Sequence, residues 1–171
     1  MIDAGRNAIN AAKAIQADLD VQCGPPEEGR RAEKQLVLPF SVVRNTRGYI
    51  EKVTNQVNGC FENGWYDAAA VLTRRLLETL VIEAFEHHKL EAKIKNQQGD
   101  FFFLRDLIDA CLREPSWNLT RNCKQAMPKL KDIGDKSAHS RRYIAHRGDL
   151  APLAADIRLV VQELVYLAAL K

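Results

Sequence analysis

Apolar residues recur every three or four positions along almost the whole chain, and nowhere do several alternating apolar and polar runs stand between turn signals as successive strands would. That single periodicity constrains the fold most. It builds helices with one face to bury and no sheet to cover, so the expected fold is all-α, an antiparallel bundle of four to six helices. The strongest case runs from Tyr66 to His88. Ala69, Leu72, Leu76, Leu80 and Ala84 form one row, Leu77, Val81 and Phe85 widen it, and Val71 and Ile82 lie off it. A helix that is apolar nearly all round belongs at the centre of a bundle. Arg74, Arg75 and Glu78 would then be partly desolvated and in need of partners, and Arg74 and Glu78 have the i,i+4 spacing of a structural ion pair.

The other helices follow from the same spacing. An alanine-rich helix is expected over residues 2–19, ended by CGPPEEGRR, whose Gly24, Pro25 and Pro26 cannot continue it. A second is expected from about Ser41 to Cys60, with Ser41 as its cap and Val42, Asn45, Tyr49, Val53 and Val57 along one stripe. Asp100 is placed to cap FFFLRDLIDACLRE, which Pro115 ends. Its three phenylalanines read as core and not as a base-stacking platform, because a helix does not present three successive rings on one face. Helical spacing then persists through Leu119, Cys123, Ala126, Leu130 and Ile133, with a kink or a junction expected at Pro128. The last helix, Asp149 to about Leu170, turns Leu153, Ile157, Val160, Val161, Leu164 and Leu167 inward. Residues 1–40 thus form an arm and loop, and residues 41–171 the bundle.

A chain of 171 residues is enough for one substantial core. No segment approaches the roughly 18 apolar residues of a membrane helix, and the N-terminus lacks the pattern of a signal peptide, so a cytoplasmic location and no membrane partner are expected. Cys23, Cys60, Cys111 and Cys123 form no CxxC pair and read as small hydrophobes. His87 and His88 are adjacent on a helix and point in different directions, which does not suit a metal. Neither a metal nor a cofactor is expected.

Charge is the uneven feature. The net charge is only +3, yet the segment from Leu119 to Arg147 holds eight Lys or Arg against two Asp, which leaves the rest slightly acidic. A basic segment on such a body is the footprint of a phosphate-binding face, although a solvated helix surface has the same composition. If helix continues through Ser140, then His139, Arg142, Tyr143 and His146 share one face, with Arg141 beside them. Imidazoles transfer protons near neutral pH and guanidiniums match phosphate oxygens, the pairing that metal-free RNA cleavage needs. The catalytic candidates are therefore His139, Arg141, Arg142 and His146. The RNA-contacting candidates are Arg121, Lys124, Lys129, Lys131, Lys136 and Arg147. The plainer account is that Gly134, Ser137 and Ala138 let a neighbouring helix approach, with His139 hydrogen-bonding across that contact.

GWYDAAAVLTRRLLETLV, LKDIGDKSAHSRR and DLAPLAADIRLVVQELVYLA, in that order and spacing, resemble a family of bacterial helical domains related to the HEPN superfamily, found alone and attached to restriction-type and other defence proteins. The resemblance covers about Cys60 to Leu170. It implies a four-helix core, a homodimer, and in active members an RNA-cleaving cleft built from an arginine four to six residues ahead of a histidine. GDKSAH puts His139 in the histidine place, but Gly134, Ile133 and Asp132 stand where the arginine would be. Lys131 sits one residue too early, and Arg141 with His146 has the spacing but lies beyond the matching segment. Either Arg141 or Arg142 serves from the other side of His139, or the domain is not catalytic. Two functions are thus expected: RNA or partner binding in a defence or stress setting, with or without cleavage, or a scaffold that holds a homodimer or a companion defence protein and touches no nucleic acid.

Overall fold

The computed structural model describes residues 5, 7, 9–15 and 37–171. Its helices are α1 (Gly48–Glu62), α2 (Tyr66–His87), α3 (Leu104–Arg113), α4 (Arg121–His139), α5 (Arg147–Leu150) and α6 (Ala154–Leu167), with 3-10 turns at Phe40–Val42, Glu91–Ile94 and Ala151–Leu153. Among the described residues there is no strand, only an isolated antiparallel bridge between Lys95 and Phe101. The protein is an all-α helical bundle. Residues 9–15 are helical and exposed, whereas most of the expected first helix and all of the proline loop lie outside the described residues.

α2 is the central element and packs against α1, α3, α4 and α6. Its expected rows are inside: Ala69, Leu76, Leu77, Leu80, Val81, Ala84 and Phe85 are buried and Leu72 packs against the core. The core begins at Val37 and Leu38, ahead of residue 41, because Asn58 of α1 pins that entry: its amide accepts from the Leu38 N–H at 3.0 Å and donates to the Leu38 carbonyl at 2.8 Å. α1 ends in a Schellman motif, with Trp65 N–H on the Cys60 carbonyl (2.8 Å) and Gly64 at φ 75. The same bond pattern closes α2 and α6, where Lys89 (φ 58) and Ala169 (φ 45) take the left-handed position without being glycine.

Several local expectations are corrected. Ser41 caps nothing, because Phe40–Val42 is a separate tight turn, Asn45 takes a left-handed conformation (φ 67), and α1 starts only after Arg47. Its buried stripe is Ile50, Val53, Thr54, Val57, Asn58 and Phe61, with Tyr49 exposed. Asp100 is no cap either: α3 begins after Phe103, and the Asp100 carbonyl closes a turn by accepting from Asn96 N–H at 2.8 Å. The phenylalanine run is therefore not helical and only Phe102 packs on the core, while Phe101 and Phe103 are exposed. The last helix proper starts not at Asp149 but at Ala154, after a short turn containing Pro152.

Pro128 sits inside one continuous α4. It is exposed, so water can satisfy the carbonyl that lost its donor on that side. The helix is held at three places. Thr120 caps it by accepting from Cys123 N–H at 3.2 Å, and Glu163 of α6 accepts from both the Thr120 N–H (2.9 Å) and its hydroxyl. Asp135 meets Arg74 of α2 at 2.6 Å and Lys131 of its own helix at 2.6 Å. Gly134 lets the two backbones close, since a Cβ there would stand 2.5 Å from the Arg74 Cβ.

Candidate nucleic-acid interface

With its inner side fixed in this way, α4 presents one outer face. Positions 121, 125, 128, 132, 136 and 139 follow each other at helical spacing, and all are exposed. Arg121, Lys136 and His139 therefore lie on one line, flanked by the exposed Lys124 and Lys129. At about 1.5 Å per residue the line runs for about 27 Å. Not all of its bases are free. Lys129 reaches Asp156 at 3.5 Å, and Lys131, turned inward, is bound to Asp135 and to Asp132. Burial raises the Asp135 carboxyl, but the hydrogen bonds from Lys131 and Arg74 outweigh it and hold the group below its ordinary value. The same bond to Asp135 raises Lys131. Lys131 thus serves the α2–α4 contact and not a ligand. Arg74 also reaches Glu78 at 3.7 Å, so the expected ion pair exists but is the longer of its two contacts.

The helix ends at His139, with Ser140 extended (φ -80, ψ 126). The expected single face of His139, Arg142, Tyr143 and His146 is therefore not formed: His139 ends α4, Arg142 and Tyr143 sit on the loop that leaves it, and His146 is the cap of α5. That loop is tied at several points. The Tyr143 N–H donates to the Ser140 hydroxyl at 3.2 Å, and the buried Ala145 donates its N–H to Asp67, in the first turn of α2, at 3.0 Å. His146 and Asp149 form a capping box at the start of α5, with His146 N–H on the Asp149 carboxylate at 2.9 Å. Tyr143 turns its hydroxyl inward, and burial, followed by the nearby Asp149 and Asp67 carboxylates, pushes it up to about 12. It stays protonated and cannot act as a base at neutral pH.

The loop's anchored backbone holds Arg141, Arg142 and Ile144 outward. His139, Arg141 and Arg142 form no ion pair and no hydrogen bond with another side chain among the described residues. His139 is exposed and does not bridge to a neighbouring helix, although Gly134 five residues earlier makes the close contact expected of it. His146 is exposed on the far side of the loop, and Arg147 is partly buried in the first turn of α5. Among the described residues no three His, Cys, Asp or Glu side chains gather as a metal ion would require. His88 instead contacts the Leu167 carbonyl at 3.0 Å.

Comparison of the chain with family models, curated proteins and solved structures finds no match. The functional reading rests on geometry. Sequence reasoning missed two residues that build the site, Asp67 and Asp149. Asp149 had a signal, three residues after the cap position, but the capping histidine disguised it. Asp67 had none, because its bond to Ala145 spans 78 residues.

Proposed function

We propose that this chain is a helical RNA-binding domain that takes the phosphate backbone along the outer face of α4 and onto the loop after it. The observation that carries the reading is the loop itself. Two guanidiniums without acidic partners among the described residues stand outward on a backbone tied to α2 and α5, so little ordering of that backbone is left to be done when an anion binds. Arg121, Lys124, Lys136 and His139 extend the path along α4. Binding, not cleavage, is the activity favoured, because among the described residues no carboxylate or second imidazole is hydrogen-bonded to His139 to orient it as a base.

The test is a titration of labelled RNA at several salt concentrations. Arg141→Ala with Arg142→Ala is expected to weaken binding and to flatten the salt dependence, by about 0.7 in the logarithmic slope for each lost phosphate contact on a single strand. Binding whose affinity ignores salt refutes the reading. A scaffold role rests on a different observation. Tyr166 of α6 is 84% exposed between two open hollows, one lined by Val42 and Val165 and the other by Leu119, Leu159 and Leu167. A homodimer or a companion defence protein would use that face, and a molecular mass by light scattering above that of the monomer, lowered by Tyr166→Arg, would support it.

A further inference from the structure

α6 is apolar nearly all round, as α2 is, yet it lies at the edge of the bundle, packed on α2, on α4 and on the 3-10 turns at Phe40–Val42 and Ala151–Leu153. Ile157, Val160, Val161, Leu164 and Val165 are buried on its inner side. On its open side Ala155, Leu159, Gln162 and Tyr166 follow at intervals of four, three and four, the spacing of a helix–helix seam. Ala155, Gln162 and Tyr166 are exposed, Leu159 is half-buried, and none of the four carries a charge. The carboxylates of the helix are engaged elsewhere, Asp156 with Lys129 at 3.5 Å and Glu163 with the Thr120 N–H at 2.9 Å. A helix with a core on one side and an uncharged seam on the other has a second surface to bury.

That surface carries a knob and a hole side by side. Tyr166, 84% exposed, stands between two open hollows of about 350 Å³ each, one lined by Val42 and Val165, the other by Leu119, Leu159 and Leu167. A projecting ring beside an apolar hollow on one face suits a two-fold axis, because residue i of one copy then meets residue j of the other and j meets i. With two α6 helices antiparallel and the axis between Gln162 and Glu163, positions 159 and 166 are equally far from the axis and face each other. Each Tyr166 then enters the hollow at the other copy's Leu119 and Leu159. A two-fold axis also sets side chains near it against their own like. Gln162, which lines both hollows, can donate and accept toward its copy without repulsion. The line of cations along α4 offers no such pairing.

We infer that the open side of α6 is the interface of a two-fold homodimer in which Tyr166 of each copy fills the Leu119–Leu159 hollow of the other. This rests on the scaffold role above and names a second copy as the partner. It does not involve Arg141 or Arg142.

The experiment follows the molecular mass of the full chain by analytical ultracentrifugation over a micromolar concentration series. Wild type should form a dimer. Tyr166→Arg should raise its dissociation constant about 30-fold or more, the loss expected of a buried aromatic anchor, and Tyr166→Phe should keep it. The circular dichroism of Tyr166→Arg should match that of wild type, because the ring is exposed in the single copy. Gln162→Cys under mild oxidation should give a linked dimer above the wild-type background, since only a position at the axis reaches its own copy; Ala155→Cys, about two turns away, should not. Arg141→Ala with Arg142→Ala should leave the mass unchanged. A wild type that stays monomeric overturns the inference alone, because the face is still open to a companion protein. A dimer that survives Tyr166→Arg and gives no Gln162→Cys link overturns the inference and the scaffold use of this face together. Loss of the dimer in Tyr166→Arg without the Gln162→Cys link overturns the antiparallel pairing. A dimer lost in Ile9→Asp with Ile15→Asp but kept in Tyr166→Arg places the contact on the exposed first helix and overturns the inference as well.

Discussion

Gly134→Ala places one methyl group where α2 and α4 touch, and its consequence is a contest between two effects of known size. Alanine favours helix over glycine by about 0.8–1.0 kcal/mol in a helix interior. Against that, the new Cβ would lie 2.5 Å from the Arg74 Cβ and 3.0 Å from the Ala70 carbonyl oxygen. Carbon atoms rest about 3.5–4.0 Å apart, so the first contact is short by about an ångström. Neither atom belongs to the free end of a side chain: one is fixed to the α2 backbone and the other is part of it. Relief requires the helices to separate, which also loosens the 2.6 Å contact of Arg74 with Asp135. Overpacking of this kind costs about 1–3 kcal/mol. With no flexible neighbour to yield, the upper half of that range applies, and the net loss is about 1–2 kcal/mol. For a domain of this size each kcal/mol lowers the melting temperature by about 2–4 °C, so a thermal melt should shift down by about 2–8 °C. Gly59→Ala is the control, since it is also inside a helix but meets no atom within 4 Å, and it should melt slightly higher than wild type. A Gly134→Ala variant as stable as wild type would refute the close contact as the reason for glycine there.

Asp135 carries a pH dependence. Its carboxyl lies below its ordinary value of 3.8 in the folded protein, so its contribution is fully present above that value and is lost as pH falls through the lower, folded one. Asp135→Asn should be less stable than wild type at pH 7 in urea melts, with the gap closing below about pH 4; a gap that stays constant with pH would show that the ion pairs are not its source. His139→Ala should leave the melting temperature within the change expected of a surface site, about 0.5 kcal/mol, while weakening RNA binding; a clear loss of stability would mean that the imidazole packs against something.

The central helix, its buried rows and the all-α class were legible in the sequence because helical periodicity is a local property, written every three or four residues into Ala69, Leu76, Leu80 and Ala84. So was the close approach at Gly134, which a small residue on a helix face announces. Helix ends were less legible. Ser41 and Asp100 have the right chemistry for caps, but the chain between them and their helices turns in ways that only packing decides, as at Asn45 and at the Asn96–Gly99 turn. The candidate site was half visible. Composition located the basic segment, and only tertiary structure separated the bases that serve the fold, Lys131 through Asp135 and Lys129 through Asp156, from the guanidiniums that form no ion pair among the described residues. The loop that carries Arg141 and Arg142 is shaped by Asp67, whose bond to Ala145 joins positions 78 residues apart. A periodic pattern records which face of an element is apolar; it holds no record of which distant carboxylate will receive a backbone N–H, and for that reason the fold class belonged to the sequence and the site to the tertiary structure.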